Sequence, residues 1–311
     1  MTKVKRQVIK KDYALYHGDS VEVIKDIPDD SIGYSLYSPP FADLYTFSDS
    51  PEDLSNCKNY NEFFYHYDFL IREQFRTMMP GRSVSIHCRD LPYQKSKDGF
   101  IGLRDFSGDV IKHFIDAGFI YHSSVIVWKD PLIEALRTKT HSLMYKQIKK
   151  DSAICRQGTP DKIITMRKPG DNYVPIRHEH GLDDYAGSDS LPFKGDKLGQ
   201  EVWRRYASPV WMDVRQTRVL NYRGARTEKD EKHISVLQLD VIQRCMTLWS
   251  SPGDTFFTPF GGIGSEPYVG LKMGLKVVGV ELKDNYFDQM VNNCKKALKE
   301  KVINNLPGMG Y

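Results

Sequence analysis

Asp254-Thr-Phe-Phe-Thr-Pro-Phe-Gly-Gly-Ile-Gly-Ser265 is a short apolar run that closes on a cluster of glycines. Pro252-Gly253 stand before it, and Asp254 to Thr258 is β-prone, so the pattern predicts a strand that ends in a glycine-rich turn. Glu266 to Lys272 reads as a helix and Lys276-Val-Val-Gly-Val280 as a second buried strand, which completes a βαβ unit. Gly261, Gly262 and Gly264 let the backbone turn sharply and approach a ligand with no Cβ in the way. Glu281 closes the second strand about 20 residues on, where a carboxylate can bond both hydroxyls of a ribose. A purely structural turn is the competing reading, because glycines alone are a weak signal; the position of Glu281 favours a nucleotide-type pocket.

Far upstream, Ser31-Ile-Gly-Tyr-Ser-Leu-Tyr37 is another strand-like run, followed by Ser38-Pro-Pro-Phe41. Successive prolines fix φ and stop the strand, and Pro39 has no N–H to donate. Their carbonyls are left to accept bonds from a ligand amine. Phe41 then follows the strand's C-terminal end, where open α/β sheets bind ligands. Read alone, the segment is more simply a proline-terminated loop with a core phenylalanine.

Taken together, the two segments resemble the DNA amino-methyltransferases of the permuted beta class, in which the base-binding tetrapeptide precedes the cofactor loop. The resemblance extends over most of the chain. Leu15 to Ile24 and Ile27 to Ser31 match the family's opening, Met79 to His87 its next strand, and Gly118 to Lys129 the strand that closes the catalytic half. Lys232 to Leu239 and Ser251 to Asp254 look like the helix and turn that lead into the cofactor strand. Family members commonly carry Asp where this chain has Thr258, and Thr where it has Ser265.

The resemblance implies an α/β fold, a Rossmann-like S-adenosylmethionine-dependent methyltransferase sheet in circularly permuted order, with an inserted DNA-recognition region. Residues 12–129 and 231–306 are expected to form the catalytic domain, and 130–230 the target-recognition region. Asp19, Phe260, Gly261, Gly262, Gly264, Ser265 and Glu281 are the expected cofactor contacts, Asp19 at the adenine and Glu281 at the ribose. Ser38, Pro39, Pro40 and Phe41 are the expected catalytic residues. Ser38 Oγ and the Pro39 carbonyl would accept the two N–H bonds of an exocyclic amine while Phe41 stacks on the base. A target base has to leave the duplex to be reached, with Tyr45 and Phe47 as candidates to brace it. Serine at position 38 is associated in this family with cytosine N4. The longer run from Ser38 to Ser50, with Asn56-Cys57, resembles a phage and prophage branch associated with adenine N6, and adenine is the base expected here.

Composition agrees. The chain has 311 residues, 40% of them hydrophobic, enough for a full α/β domain and a smaller insert. No apolar run approaches a membrane span and the first residues do not read as a signal peptide, so a cytoplasmic setting is expected. The five cysteines are scattered with no paired spacing, and His178-Glu-His180 has no further ligand cluster, so no metal is expected. Net charge is only +4. Basic residues nevertheless crowd two stretches: Arg137 to Lys168, with Lys149 and Lys150 near its middle, and Arg204 to Arg226, which starts with Arg204 and Arg205. The second stretch is interleaved with Trp203, Tyr206, Trp211 and Tyr222, a pattern suited to phosphate contacts and base stacking. A third segment, Asp90 to Phe106, reads as a lid or a grip on the target strand. A catalytically silent nucleic-acid-binding module on the same scaffold is the rival reading. It would need neither the amine clamp nor the cofactor loop.

Overall fold

The computed structural model describes residues 4–40, 57, 59–93, 95–138, 145–155, 157–178, 197–222 and 236–304. In chain order the strands are β1 (Arg6–Ile9), β2 (Tyr13–His17), β3 (Ile32–Tyr37), β4 (Met78–Cys88), β5 (Leu91–Tyr93), β6 (Gly102–Arg104), β7 (Ile120–Val127), β8 (Asp161–Arg167), β9 (Val210–Trp211), β10 (Thr255–Thr258) and β11 (Lys276–Glu281). The helices are α1 (Ser20–Val23), α2 (Tyr60–Thr77), α3 (Lys95–Asp98), α4 (Phe106–Asp116), α5 (Pro131–Thr138), α6 (Tyr145–Ile148), α7 (Lys197–Tyr206), α8 (Leu239–Trp249), α9 (Ser265–Lys272) and α10 (Asp284–Asn304).

Among the described residues, nine strands form one sheet in the order β1-β2-β11-β10-β3-β4-β8-β7-β9. Pairing is parallel from β2 through β11, β10 and β3 to β4, whereas β8 runs against both its neighbours, β4 and β7. From β10 the chain proceeds outward to β11, and from β3 it proceeds the other way to β4. The winding therefore reverses between β10 and β3, the place in such sheets where a crevice opens beyond the strand ends.

β3 is buried along its whole length, as expected of a strand covered on both faces. In β10 the pleat sends Phe256 into one core and Phe257 into the other. α8, α9 and α10 pack on the first face through Val241, Val269 and Met290, and α1, α2 and α4 on the second through Val23, Phe63 and Val110. α2 shows why such a segment is helical. Asn59 caps it, accepting from Glu62 N at 3.0 Å, and Phe63, Tyr67, Leu70, Ile71 and Gln74 form one buried stripe at helical spacing.

The expected division at residues 130 and 231 does not match the sheet. Asp161–Arg167 lies inside the segment expected to be an insert, yet it pairs with both β4 and β7 as a central strand. Its apolar centre, Ile163 to Met166, is buried, and polar residues at both ends disguise it among turn-rich neighbours. β9 also joins the sheet, beside β7. Asp90 to Phe106 folds largely as the β5–β6 hairpin, with the Arg104 guanidinium between the rings of Tyr60 (4.4 Å) and Tyr93 (5.0 Å).

A buried ion pair ties the early and late parts of the chain together. Arg82 in β4 donates from Nε to the Gly33 carbonyl (2.8 Å) and from a terminal nitrogen to the Val174 carbonyl (2.8 Å). Its other terminal nitrogen pairs with Asp254, just before β10. Among the described residues, no helix is long and apolar enough to cross a membrane.

Candidate active site

The two diagnostic segments leave the sheet side by side. β3 and β10 pair in parallel, with Tyr34 opposite Phe256 and Ser35 opposite Phe257, and Ser35 Oγ donates to the Phe257 carbonyl at 2.8 Å. One step beyond, the Tyr37 ring meets the Phe260 ring edge-on with centroids 5.5 Å apart. Ser38-Pro39-Pro40 continues from the first strand and Gly261 to Ser265 from the second, so both emerge at the same rim. Phe41, Tyr45 and Phe47 lie outside the described residues.

The glycine turn is held from two directions. Gly261 N donates to the Val280 carbonyl (2.7 Å), and Gly264 N donates to the Gly261 carbonyl (2.8 Å). Glu281 spans the turn, accepting from Gly262 N at 2.7 Å through Oε2 and from Lys283 N at 2.9 Å through Oε1. At the end of β2, Asp19 caps α1, accepting from Val21 N at 2.9 Å, while Gly18 N donates to the Glu281 carbonyl. The ends of β2, β11 and β10 thus share one border.

The structure separates the roles of the three glycines. A Cβ at Gly261 would lie 2.5 Å from Met290 Sδ, and one at Gly264 would lie 2.9 Å from Met290 Cγ, so both positions are small because α10 packs against them. Gly262, with φ +52°, is the one where a Cβ would point into open space. Of the three, Gly262 is the one with open space on the side where a side chain would stand. Nearby, Thr258 Oγ1 and Ser265 Oγ are buried with no hydrogen-bond partner among the described residues, and burial pushes the Glu266 carboxyl up to about 8. An open glycine, a carboxylate across the turn and orphaned polar atoms at its base fit a polar nucleoside-type cofactor. We expect Gly264→Ala to cost about 2 kcal/mol or more of stability, through the φ of +86° and the clash with Met290. Gly262→Ala should instead cost about 1 kcal/mol and weaken cofactor binding, with urea unfolding and calorimetry separating the two effects. Equal losses of cofactor affinity at equal stability would refute this division.

Behind Ser38 lies a polar cluster that the sequence did not announce. Ser38 Oγ sits 3.1 Å from both the His87 carbonyl and His87 Nδ1. The far nitrogen, Nε2, lies 3.1 Å from Asp161 Oδ2, an approach oblique to the ring. Asp161, the first residue of β8, also meets Lys129 Nζ at 2.7 Å and Arg89 Nε at 3.2 Å. Arg89 reaches on to Glu134, at 3.2 Å. Burial opposes ionisation of Asp161, but His87, Lys129 and Arg89 hold its carboxyl well below the usual range. The available sequence signal was slight: a histidine near the end of a strand and an aspartate opening a strand whose partners could not be read.

A family model described as DNA methylase, of the N6/N4 type, matches residues 34–292, most of the chain and both rim segments. The chain belongs to the DNA methylase family. It is 22% identical to the Type II methyltransferase M.BamHI of Bacillus amyloliquefaciens over 294 residues, 93% of this chain and 57% of that protein. The chain thus spans little more than half the length of M.BamHI. It is also 22% identical to the orphan methyltransferase M.BamHII of the same organism, covering 92% of this chain and 97% of that one. Among solved structures, a protein named as a DNA modification methylase of Thermus thermophilus, complexed with S-adenosyl-L-methionine, superposes with a TM-score of 0.62 at 20% identity. That match covers 91% of this chain and 93% of the other. The cytosine-N4-specific PvuII DNA methyltransferase gives 0.57 at 14% identity, covering 96% and 95%. The fold is that of these methyltransferases.

In this DNA methylase the basic stretches divide into exposed and internally paired residues. Lys149 and Lys150 are exposed just after α6, Lys149 above the Tyr145 ring at 5.0 Å. Arg204 is exposed on α7 beside Glu201 (3.1 Å), and Arg205 is half-buried, 3.9 Å from Asp213. Arg215 and Arg218 instead clamp Asp240, and Lys162 pairs with Asp90. Of the aromatics read as base-stackers, Trp203 is exposed but Tyr206 and Trp211 are core residues packed against Arg244. Interleaving with arginine there marks internal cation–π packing, a pattern that sequence cannot separate from a nucleic-acid surface.

Proposed function

We propose that this protein transfers a methyl group from S-adenosylmethionine to the exocyclic amine of a base in DNA, adenine N6 being the base we favour. The observation that carries the proposal is the shared rim: the amine-binding Ser38-Pro39-Pro40 and the cofactor turn leave adjacent parallel strands, joined by the Tyr37–Phe260 contact. The cofactor supplies a methyl group activated on a sulfonium.

The chain's own residues do the rest. Glu281 holds the ribose, its carboxylate spanning the turn from Gly262 N to Lys283 N. Asp19 borders the adenine, and Gly262 gives the backbone room for the cofactor. Ser38 Oγ and the Pro39 carbonyl accept the two amine N–H bonds, drawing the nitrogen's lone pair out of conjugation with the ring and toward the methyl group. Positioning of this kind supplies several kcal/mol of the barrier. Phe41 stacks on the extruded base, a contact worth about 1–3 kcal/mol, and Tyr45 and Phe47 brace it. Lys149, Lys150, Arg204 and Arg205 contact phosphates. Cytosine N4 is the second reading, because serine at position 38 is associated with it in the family and a hydroxyl accepts equally well from either amine.

Nucleoside mass spectrometry of plasmid DNA from cells expressing the protein tests this. N6-methyladenine is expected; N4-methylcytosine would support the second reading, and neither base above background would refute DNA methylation. For the surface, the double change Lys149→Glu, Lys150→Glu should weaken DNA binding roughly tenfold at 0.1 M salt and flatten its salt dependence. An unaltered salt slope would remove these lysines from the interface.

A further inference from the structure

Methyl transfer leaves the amine with a proton too many, and Ser38 is a weak base. The proposed function makes Ser38 an acceptor, yet its own hydroxyl proton has to be directed somewhere other than the incoming amine. We propose that His87, oriented by Asp161, is a positioning residue that draws the Ser38 hydroxyl proton away from the target amine and then takes up the proton released there.

The geometry sets the direction of each bond. Asp161 Oδ2 stands 3.1 Å from His87 Nε2, and a carboxylate opposite a ring nitrogen favours the proton on that nitrogen. Two cations, Lys129 and Arg89, face the two carboxylates, Asp161 and Glu134, beside the ring. With Nε2 protonated, Nδ1 carries a lone pair, and the single Ser38 hydroxyl proton, 3.1 Å from both this atom and the His87 carbonyl, is shared between two acceptors that both lie away from the rim. Ser38 Oγ then turns both its lone pairs to the rim. A protonated ring would do the opposite, donating from Nδ1 into Ser38 Oγ and occupying one of those lone pairs.

The proton step balances. The methylated amine's N–H bond pair returns to nitrogen as its proton passes to Ser38 Oγ. The Ser38 hydroxyl proton moves at the same time to His87 Nδ1. An imidazolium then faces the Asp161 carboxylate until it releases its proton to solvent. The charged and titratable groups around the ring are Ser38 at the end of β3, Asp161 opening β8, Arg89 after β4, Lys129 after β7, and Glu134 on α5 through Arg89. β4 carries the ring itself, between β3 and β8.

This proposal rests on the methyltransferase reading, so the test has one arm that needs no turnover. In protein labelled with 15N-histidine, long-range 1H–15N spectra should show His87 neutral with its proton on Nε2, and Asp161→Asn should erase that preference; a proton on Nδ1 in the wild type would overturn the relay. In the second arm, single-turnover methyl transfer to duplex DNA is followed against pH. Wild-type rates should fall as pH is lowered. His87→Ala should be slower about 100-fold. His87→Asn keeps an acceptor near the Nδ1 position but takes up no proton; it should be slower about tenfold and lose the acid limb. Cofactor affinity, read by calorimetry, should stay within about twofold in every variant. Wild-type-like rates and pH profiles in both His87 variants would overturn the relay alone, whereas a wild-type protein that methylates no DNA would overturn the underlying reading and the relay with it.

Discussion

Ser38→Ala is expected to lower the methyl-transfer rate by about 10²–10³-fold while cofactor affinity stays within about threefold. The substitution deletes one of two acceptors aimed at the amine, and the loss of one preorganised polar group at a reacting centre typically costs about 3–4 kcal/mol of barrier. The cofactor side of the rim is untouched, since Glu281, Gly262 and Asp19 have their own anchors on β11, β10 and β2. Packing changes little because Ser38 is only half-buried and its side-chain bonds are both to His87. Single-turnover transfer from radiolabelled cofactor, alongside calorimetric titration, reads both quantities. A variant that retains a third or more of the wild-type rate would show that Ser38 does not hold the amine.

The second large effect is on stability. Arg82→Met should destabilise the protein by about 3–5 kcal/mol, the usual consequence of removing one partner of a buried ion pair. Arg82 is 1% exposed and holds Gly33, Val174 and Asp254 at once, across the N-terminal ends of β3, β4 and β10. Without it, the largely buried Asp254 carboxylate keeps, among the described residues, only its bond from Ser251 N, at 2.7 Å. Adding Asp254→Asn should recover much of the loss, because the amide oxygen still accepts from Ser251 N and no unpaired charge remains. Urea unfolding at constant m-value checks both. A loss below about 1 kcal/mol for Arg82→Met would mean that water reaches the site and screens the carboxylate.

The central βαβ unit was legible because its signals are local. Asp254–Ser265 carries strand, turn and helix start within one short stretch, and Ser38-Pro-Pro announces its own strand end. What stayed hidden depends on distant partners. β8 is a core strand whose polar ends, Asp161 and Arg167, are answered by β4 and β7, and neither pairing is written in its own residues. The same holds for Arg215, Arg218 and Lys162, whose charges look available until Asp240 and Asp90 come into view. Two of the turn glycines have a second reason that lies outside the turn. Gly261 and Gly264 are small on account of Met290, which enters from a later helix, and composition within the turn cannot distinguish that helix from a ligand. The Ser38–His87–Asp161 chain joins three strands, and only their register brings it together.

The place of β10 and β11 has a consequence for synthesis. β2 and β3 are made early, yet in the finished sheet they are separated by the two strands that emerge last. Until those arrive, a nascent chain presents two bare hydrogen-bonding edges flanking a vacant slot, with Tyr13, Leu15, Tyr34 and Leu36 uncovered. Such edges recruit other strands readily, and closure over so long a sequence separation is slow. Ribosome stalling or nonsense truncation before residue 254 should therefore yield aggregating fragments, and a separately supplied piece spanning β10 to α10 should rescue them by filling the gap.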